Sequence, residues 1–176
     1  MLISSKDYKD WPYDARLALK CNYQQNQALV ILEIQNSGTS SFSWTGGLHP
    51  YFAFDLLNTE VHGLYAASQQ YLYRPSEYFQ GKPSLRFDRN AYECLFNTNN
   101  SLHVTTPTRT LTLSMEGFDQ WMIWNPGEEG AKALNDLPNE DWCQFLCIEP
   151  VVLSNPVILK PHESWIGSLR IKIDQA

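Results

Sequence analysis

Short stretches in which apolar and polar residues alternate, separated by turn signals at roughly eight- to twelve-residue intervals, constrain this chain more than any other feature. Leu17, Leu19, Cys21 and Tyr23 alternate with Arg16, Ala18, Lys20 and Asn22, the period of a half-buried strand. Gln24 to Gln27 reads as a polar turn. Val30, Leu32 and Ile34 then alternate with Leu29, Ile31 and Glu33 as far as Asn36-Ser37-Gly38, which predicts an antiparallel hairpin. Phe42–Thr45 begins another strand that Gly46-Gly47 breaks or bulges and Leu48–Phe54 resumes. Further strands are predicted at Val61–Leu64, Leu85–Phe87, Leu102–Thr106, Thr110–Glu116, Trp121–Trp124, Cys143–Glu149, Val157–Leu159 and Trp165–Ile173. Glu128–Leu137 alone looks helical, with Ala131, Leu134 and Leu137 three apart and Pro138 closing it. Many short strands with almost no helix define an all-β, antiparallel β-sandwich. The 176 residues contain no linker, repeat or low-complexity stretch and fit one domain over 1–176.

Charge and composition remove several function classes. The net charge is −6 with no basic run, so nucleic acid is not an expected partner. No stretch of about 18 apolar residues is present, so no membrane helix is expected. The first eleven residues carry charges and lack the apolar core of a secretory leader. Cys21, Cys94, Cys143 and Cys147 lie in apolar, strand-like surroundings without C-x-x-C spacing. They are expected to be buried free thiols, with no zinc site, in a cytoplasmic protein. Aromatic residues reach 13%. Such rings fill sandwich cores, but they also line sugar pockets, where the flat apolar face of a pyranose packs on them.

Three residues stand out for chemistry. His49 lies in Gly47-Leu48-His49-Pro50-Tyr51-Phe52, where Gly46 and Gly47 permit a bulge and Pro50 cannot donate to a ladder. A core histidine satisfied by a carbonyl is the structural alternative. Glu149 ends the run Phe145-Leu146-Cys147-Ile148 before Pro150, on the face of Cys147 and Phe145. Its carboxyl is expected to be partly buried and therefore to have a partner or a raised pKa; a pairing with Arg or Lys at a strand end would be purely structural. Asp88 in Arg86-Phe87-Asp88-Arg89-Asn90-Ala91-Tyr92 is either salt-bridged to Arg86 or Arg89, or a binding residue. His62, His103 and His162 read as structural or solvated. Glycine-rich phosphate loops, nucleophile elbows and His/Cys metal clusters are absent from the pattern, which leaves acid/base chemistry or plain binding and no expected metal.

Taken in order, Leu48–Phe52, Val61-His62-Gly63-Leu64, Phe87–Tyr92, Ile123-Trp124-Asn125-Pro126 with Ala131–Asp136, Phe145–Pro150 and Pro156–Ser168 resemble the aldose 1-epimerase (mutarotase) superfamily, and most of all its hexose-6-phosphate mutarotase branch. The resemblance runs from about Trp11 to the end. It implies a galactose mutarotase-like supersandwich, shortened at the N-terminus, whose open face binds a hexose or hexose phosphate and which uses no cofactor. On that pattern Glu149 is the general base at the C1 hydroxyl, His49 the general acid at the ring oxygen, and Asp88 a residue that holds sugar hydroxyls or orients His49. The imidazole and the carboxyl are expected on opposite sides of one pyranose-sized hollow. Family members usually carry a further N-terminal region with an Arg-Gly-Gly type motif that grips the sugar phosphate, and the first ten residues do not match it. A shortened natural form, a truncated reading frame, or strands supplied by a partner copy would each account for this; the last implies a homodimer. The competing function is a catalytically weak or inactive carbohydrate-binding module on the same sandwich.

Overall fold

Two antiparallel sheets face one another across a shared apolar core. The computed structural model describes residues 1–4, 8, 10–64, 67–71 and 84–174. In chain order the strands are β1 (Leu2–Ser4), β2 (Ala15–Gln24), β3 (Gln27–Asn36), β4 (Phe42–Gly47), β5 (Tyr51–Ala53), β6 (Glu60–His62), β7 (Ser68–Tyr71), β8 (Ser84–Arg86), β9 (Tyr92–Asn97), β10 (Leu102–Thr105), β11 (Thr110–Glu116) and β12 (Gln120–Asn125). A single-turn helix, α1 (Gly127–Ala131), leads through a 3-10 turn (Asp141–Gln144) to β13 (Phe145–Leu159) and β14 (Ser164–Asp174). Among the described residues one sheet runs β1-β2-β3-β14-β11-β10-β6-β8, and the other runs β4-β13-β12-β9-β7 with β5 also on β13.

Period-2 burial marks β10 and β11 in the middle of the first sheet. In β11, Leu111, Leu113 and Met115 are buried, while Thr110, Thr112 and Ser114 are less so. The buried set meets Trp121, Ile123, Leu146 and Ile148 from the second sheet in one cluster. β13 departs from the rule. Its residues from Phe145 to Val152 are all buried, so the outward face of this strand is covered as well as the inward one. A second, small apolar cluster of Leu95, Met122 and Val151 sits on that outward face.

Buried amides close the irregular places. β13 shifts register against β4 between Val152 and Val157, and the side chain of Gln120 accepts from the Leu153 and Ser154 N–H groups at 3.1 and 2.9 Å. Asn125 donates to the Trp142 and Phe145 carbonyls, both at 2.9 Å, and accepts from Gly127 N–H. That clamp fixes where β13 begins, because buried backbone groups must find partners.

The antiparallel sandwich and the β2–β3 hairpin form as predicted. Several local expectations need correction. β4 runs on through Gly47, and the interruption falls at Leu48–Pro50. Val157–Leu159 is the end of β13 rather than a separate strand. Cys143 lies on the 3-10 turn and is only half-buried, and Cys21 is exposed, so two of the four thiols are not in the core. The helix stops at Ala131, because Gly130 falls within it and the chain then turns through i→i+3 bonds, Ala133 N–H to Gly130 and Leu134 N–H to Ala131.

Candidate active site

The pairing of β13 decides where His49 goes. β13 pairs with β5 through Phe145, Leu146 and Cys147, and with β4 through Val151 and Val152. Ile148–Pro150 therefore faces the gap between β4 and β5, and His49 is in that gap. A ladder-like bond crosses it from Leu48 N–H to the Pro150 carbonyl at 3.1 Å. His49 Nε2 comes to 3.2 Å from Glu149 Oε1, with the histidine side chain 50% exposed and the glutamate 10%. The two proposed proton-transfer groups are thus brought together, but not as expected. They stand side by side on one face rather than on opposite sides of a hollow.

Gly47 makes this approach possible. A Cβ there would lie 2.3 Å from the Pro150 carbonyl oxygen and 2.9 Å from Val151 Cα. Those are backbone atoms of the strand that carries Glu149, so they cannot swing away. Gly47→Ala is expected to cost about 1–3 kcal/mol by thermal melt, the usual range for forcing an atom into packed structure, and to move His49 away from Glu149.

Register places the neighbours. Tyr51, Cys147, Trp124 and Glu93 form one cross-strand row, and Glu149, Met122 and Leu95 form the next. The His49 ring stacks on Tyr51 at 5.1 Å between centroids and meets the edge of Trp124 at 5.8 Å; Phe145 packs against both aromatics. Tyr51 remains 61% exposed. Burial, and then the negative charge of Glu93, pushes the Glu149 carboxyl up to about 7. Burial also raises Glu93, and burial followed by the charge of Glu149 raises the Cys147 thiol. A carboxyl that titrates near neutrality, next to an imidazole on a solvent-facing edge, can give and take protons at physiological pH.

Asp88 lies in the turn between β8 and β9. Its Oδ1 accepts from Asn90 N–H at 2.8 Å and from Asn90 Nδ2 at 3.1 Å, the local turn contact this residue type favours. The turn packs on the start of α1, where a Cβ on Gly127 would sit 2.3 Å from Ala91 N. Arg86 and Arg89 reach Glu60 at 2.5 Å and Glu128 at 3.3 Å. Asp88 is not part of the cluster formed by His49, Cys147 and Glu149. The remaining histidines lie elsewhere: His62 is 3.7 Å from Glu60, His103 contacts Thr112, and His162 has a left-handed φ of 67° in the turn before β14. A hollow of about 730 Å³ opens beside β4, lined by Trp11, Leu17, Ile34, Phe42 and Trp44. Its described lining holds one carboxyl, Asp10, and no histidine.

Tyr51, Trp124, Cys147 and Glu93 were not singled out from the sequence as site residues. Tyr51 could have been, because it stands two positions from His49 on the same face of an extended chain. The others need the strand order.

The architecture is that of the galactose mutarotase-like sandwiches. A provisionally named mutarotase from Salmonella typhimurium superposes with a TM-score of 0.85 at 19% identity, covering 100% of this chain and 59% of that one. A provisionally named aldose 1-epimerase from Escherichia coli K12 gives 0.78 at 15% identity, covering 99% and 64%. The chain belongs to the aldose 1-epimerase family, whose sequence model matches residues 1–172. Among curated proteins it is 26% identical over 184 aligned positions to a provisionally named glucose-6-phosphate 1-epimerase of Cenchrus ciliaris, covering 96% of this chain and 53% of that protein. A like-named protein of Salmonella typhimurium is 25% identical, with coverage of 84% and 50%. The chain therefore spans about half the length of the curated relatives it matches.

Proposed function

We propose that this chain interconverts the α and β anomers of a hexose or hexose 6-phosphate by acid/base ring opening, with Glu149 and His49 as the proton-transfer pair. The observation that carries the reading is the 3.2 Å approach of His49 Nε2 to Glu149 Oε1 on an aromatic-walled face. Anomerisation concerns two oxygens on one carbon, the C1 hydroxyl and the ring oxygen. Groups that serve both must be neighbours, so a side-by-side pair suits the reaction better than two groups facing each other across the ring.

Glu149 takes the proton of the C1 hydroxyl while His49 protonates the ring oxygen. The C1–O5 bond breaks, C1 becomes the aldehyde carbon and the former ring oxygen becomes the C5 hydroxyl. Rotation about C1–C2 presents the other face of the carbonyl, and closure with the roles reversed restores both protons to their groups. A base near neutrality can release its proton as readily as it takes one, as a reaction running in both directions requires. Tyr51 offers an exposed ring face on which a sugar can pack. Asp88 enters as a group that holds a sugar hydroxyl or orients His49.

The test is polarimetry of freshly dissolved α-D-glucose and, separately, enzymatic read-out of glucose 6-phosphate anomers, each with and without the protein. Saturable acceleration above buffer supports the reading and identifies the preferred sugar. Saturable sugar binding with no acceleration would make the chain a carbohydrate-binding module instead.

A further inference from the structure

We infer that His49, Cys147 and Glu149 form a binding site for one thiophilic divalent cation of the zinc type, and that its occupation is incompatible with sugar turnover. A ring nitrogen of His49, Cys147 Sγ and a carboxylate oxygen of Glu149 all lie within 4.8 Å of one another. Zinc bonds nitrogen, oxygen and sulfur at about 2.0–2.3 Å, which sets tetrahedral donor atoms about 3.3–3.8 Å apart, so a small rotation of the half-exposed His49 ring brings all three donors onto one ion. An imidazole, a thiolate and a carboxylate together favour zinc-like ions over magnesium or calcium, which prefer all-oxygen shells.

The backbone already holds two of the donors. Cys147 and Glu149 are alternate residues of β13 and point to the same face, and both are buried. His49 comes from the gap between β4 and β5 and is half-exposed, so it connects the buried pair to solvent. The aromatic rings of Tyr51 and Trp124 wall the imidazole. A fourth position, on the solvent side, is left for water, the arrangement of an open zinc site. No cysteine spacing along the chain signals this set, because two donors are two residues apart on one strand and the third comes from a distant one.

Binding follows ordinary metal chemistry. The Cys147 thiol gives its proton to solvent as the metal–sulfur bond forms, the imidazole offers a lone pair, and Glu149 binds as the carboxylate. The His49–Glu149 contact is replaced by two bonds to the ion. An occupied site then has neither a free carboxylate to take the C1 hydroxyl proton nor an imidazolium proton to give. This second part rests on the proposed function; the binding itself does not.

The experiment titrates metal-free protein with Co²⁺ and follows absorption, with no sugar present. The expected result is a thiolate-to-cobalt charge-transfer band and visible d–d bands that saturate at one equivalent and bleach on adding Zn²⁺. Cys147→Ser should abolish the charge-transfer band, and His49→Gln should weaken cobalt binding by about tenfold or more, the scale of losing groups that support a metal site. Absence of the charge-transfer band, or its persistence in Cys147→Ser through the exposed Cys21, overturns the site. Should Cys147→Ser fail to fold by circular dichroism, His49→Gln decides, and unchanged cobalt affinity overturns the proposal. Zn²⁺ is then expected to stop anomerisation, with recovery on chelation; zinc bound without any slowing overturns the incompatibility. If the metal-free protein does not accelerate anomerisation at all, the proposed function falls while the cobalt signature still stands or falls by itself.

Discussion

His49→Asn and Glu149→Gln are each expected to lower the protein-dependent rate of anomerisation by about 10²–10⁴-fold, the usual contribution of a positioned proton-transfer group. Neither change should unfold the sandwich. The His49 side chain is half in solvent, outside the ladders, and Gln keeps the shape of Glu149 and one acceptor oxygen. Because the two groups touch, the double mutant should be little slower than either single mutant, as is usual for residues that act as a unit. Polarimetry with α-D-glucose measures all three, and circular dichroism controls for folding. Full rate in both single mutants would show that the pair does no proton transfer.

Glu149→Gln is also expected to change how stability depends on pH. The wild-type carboxyl is raised from 4.5 to about 7 in the folded protein by burial and by Glu93. Its protonated form is favoured on folding, so that stability is fully present below about 4.5 and is lost as pH rises through about 7. The swing is at most about 3 kcal/mol between pH 4 and pH 8.5. Glutamine cannot ionise and should flatten this part of the curve, leaving the mutant more stable than wild type at pH 8.5 and no more stable at pH 4. Urea melts at the two pH values check this; equal differences at both would refute the assignment. The same ionisation should make kcat/KM rise through a pH near 7, measured with a chelator present.

β11 was readable because burial alternates there, with Leu111, Leu113 and Met115 inside, and the β2–β3 hairpin because its residue types alternate about a polar turn. Where both faces are covered the alternation vanishes. In β9, Tyr92, Cys94, Leu95 and Phe96 are all buried, so no period-2 pattern marks the strand and only the apolar surroundings of Cys94 hint at it. Glu128–Leu137 misled because three apolar residues at helical spacing say nothing of Gly130, or of Asn135 and Asp136, whose short polar side chains compete for the backbone. His49 and Glu149 stood out as candidates through their apolar settings and the family pattern, and the fold brings them into contact. Their side-by-side placement was not readable, because it depends on β13 holding β4 and β5 on either side of a break. Cys147, Trp124 and Glu93 join the site through registers that only the folded sheet defines.

That break has a consequence for how such a protein can change. Leu48–Pro50 is a span of three residues pinned at both ends, by Gly47 opposite Val151 and by Tyr51 opposite Cys147. Substitutions at Leu48 or Pro50 are therefore expected to re-aim the His49 imidazole while the Glu149 carboxylate stays anchored mid-sheet.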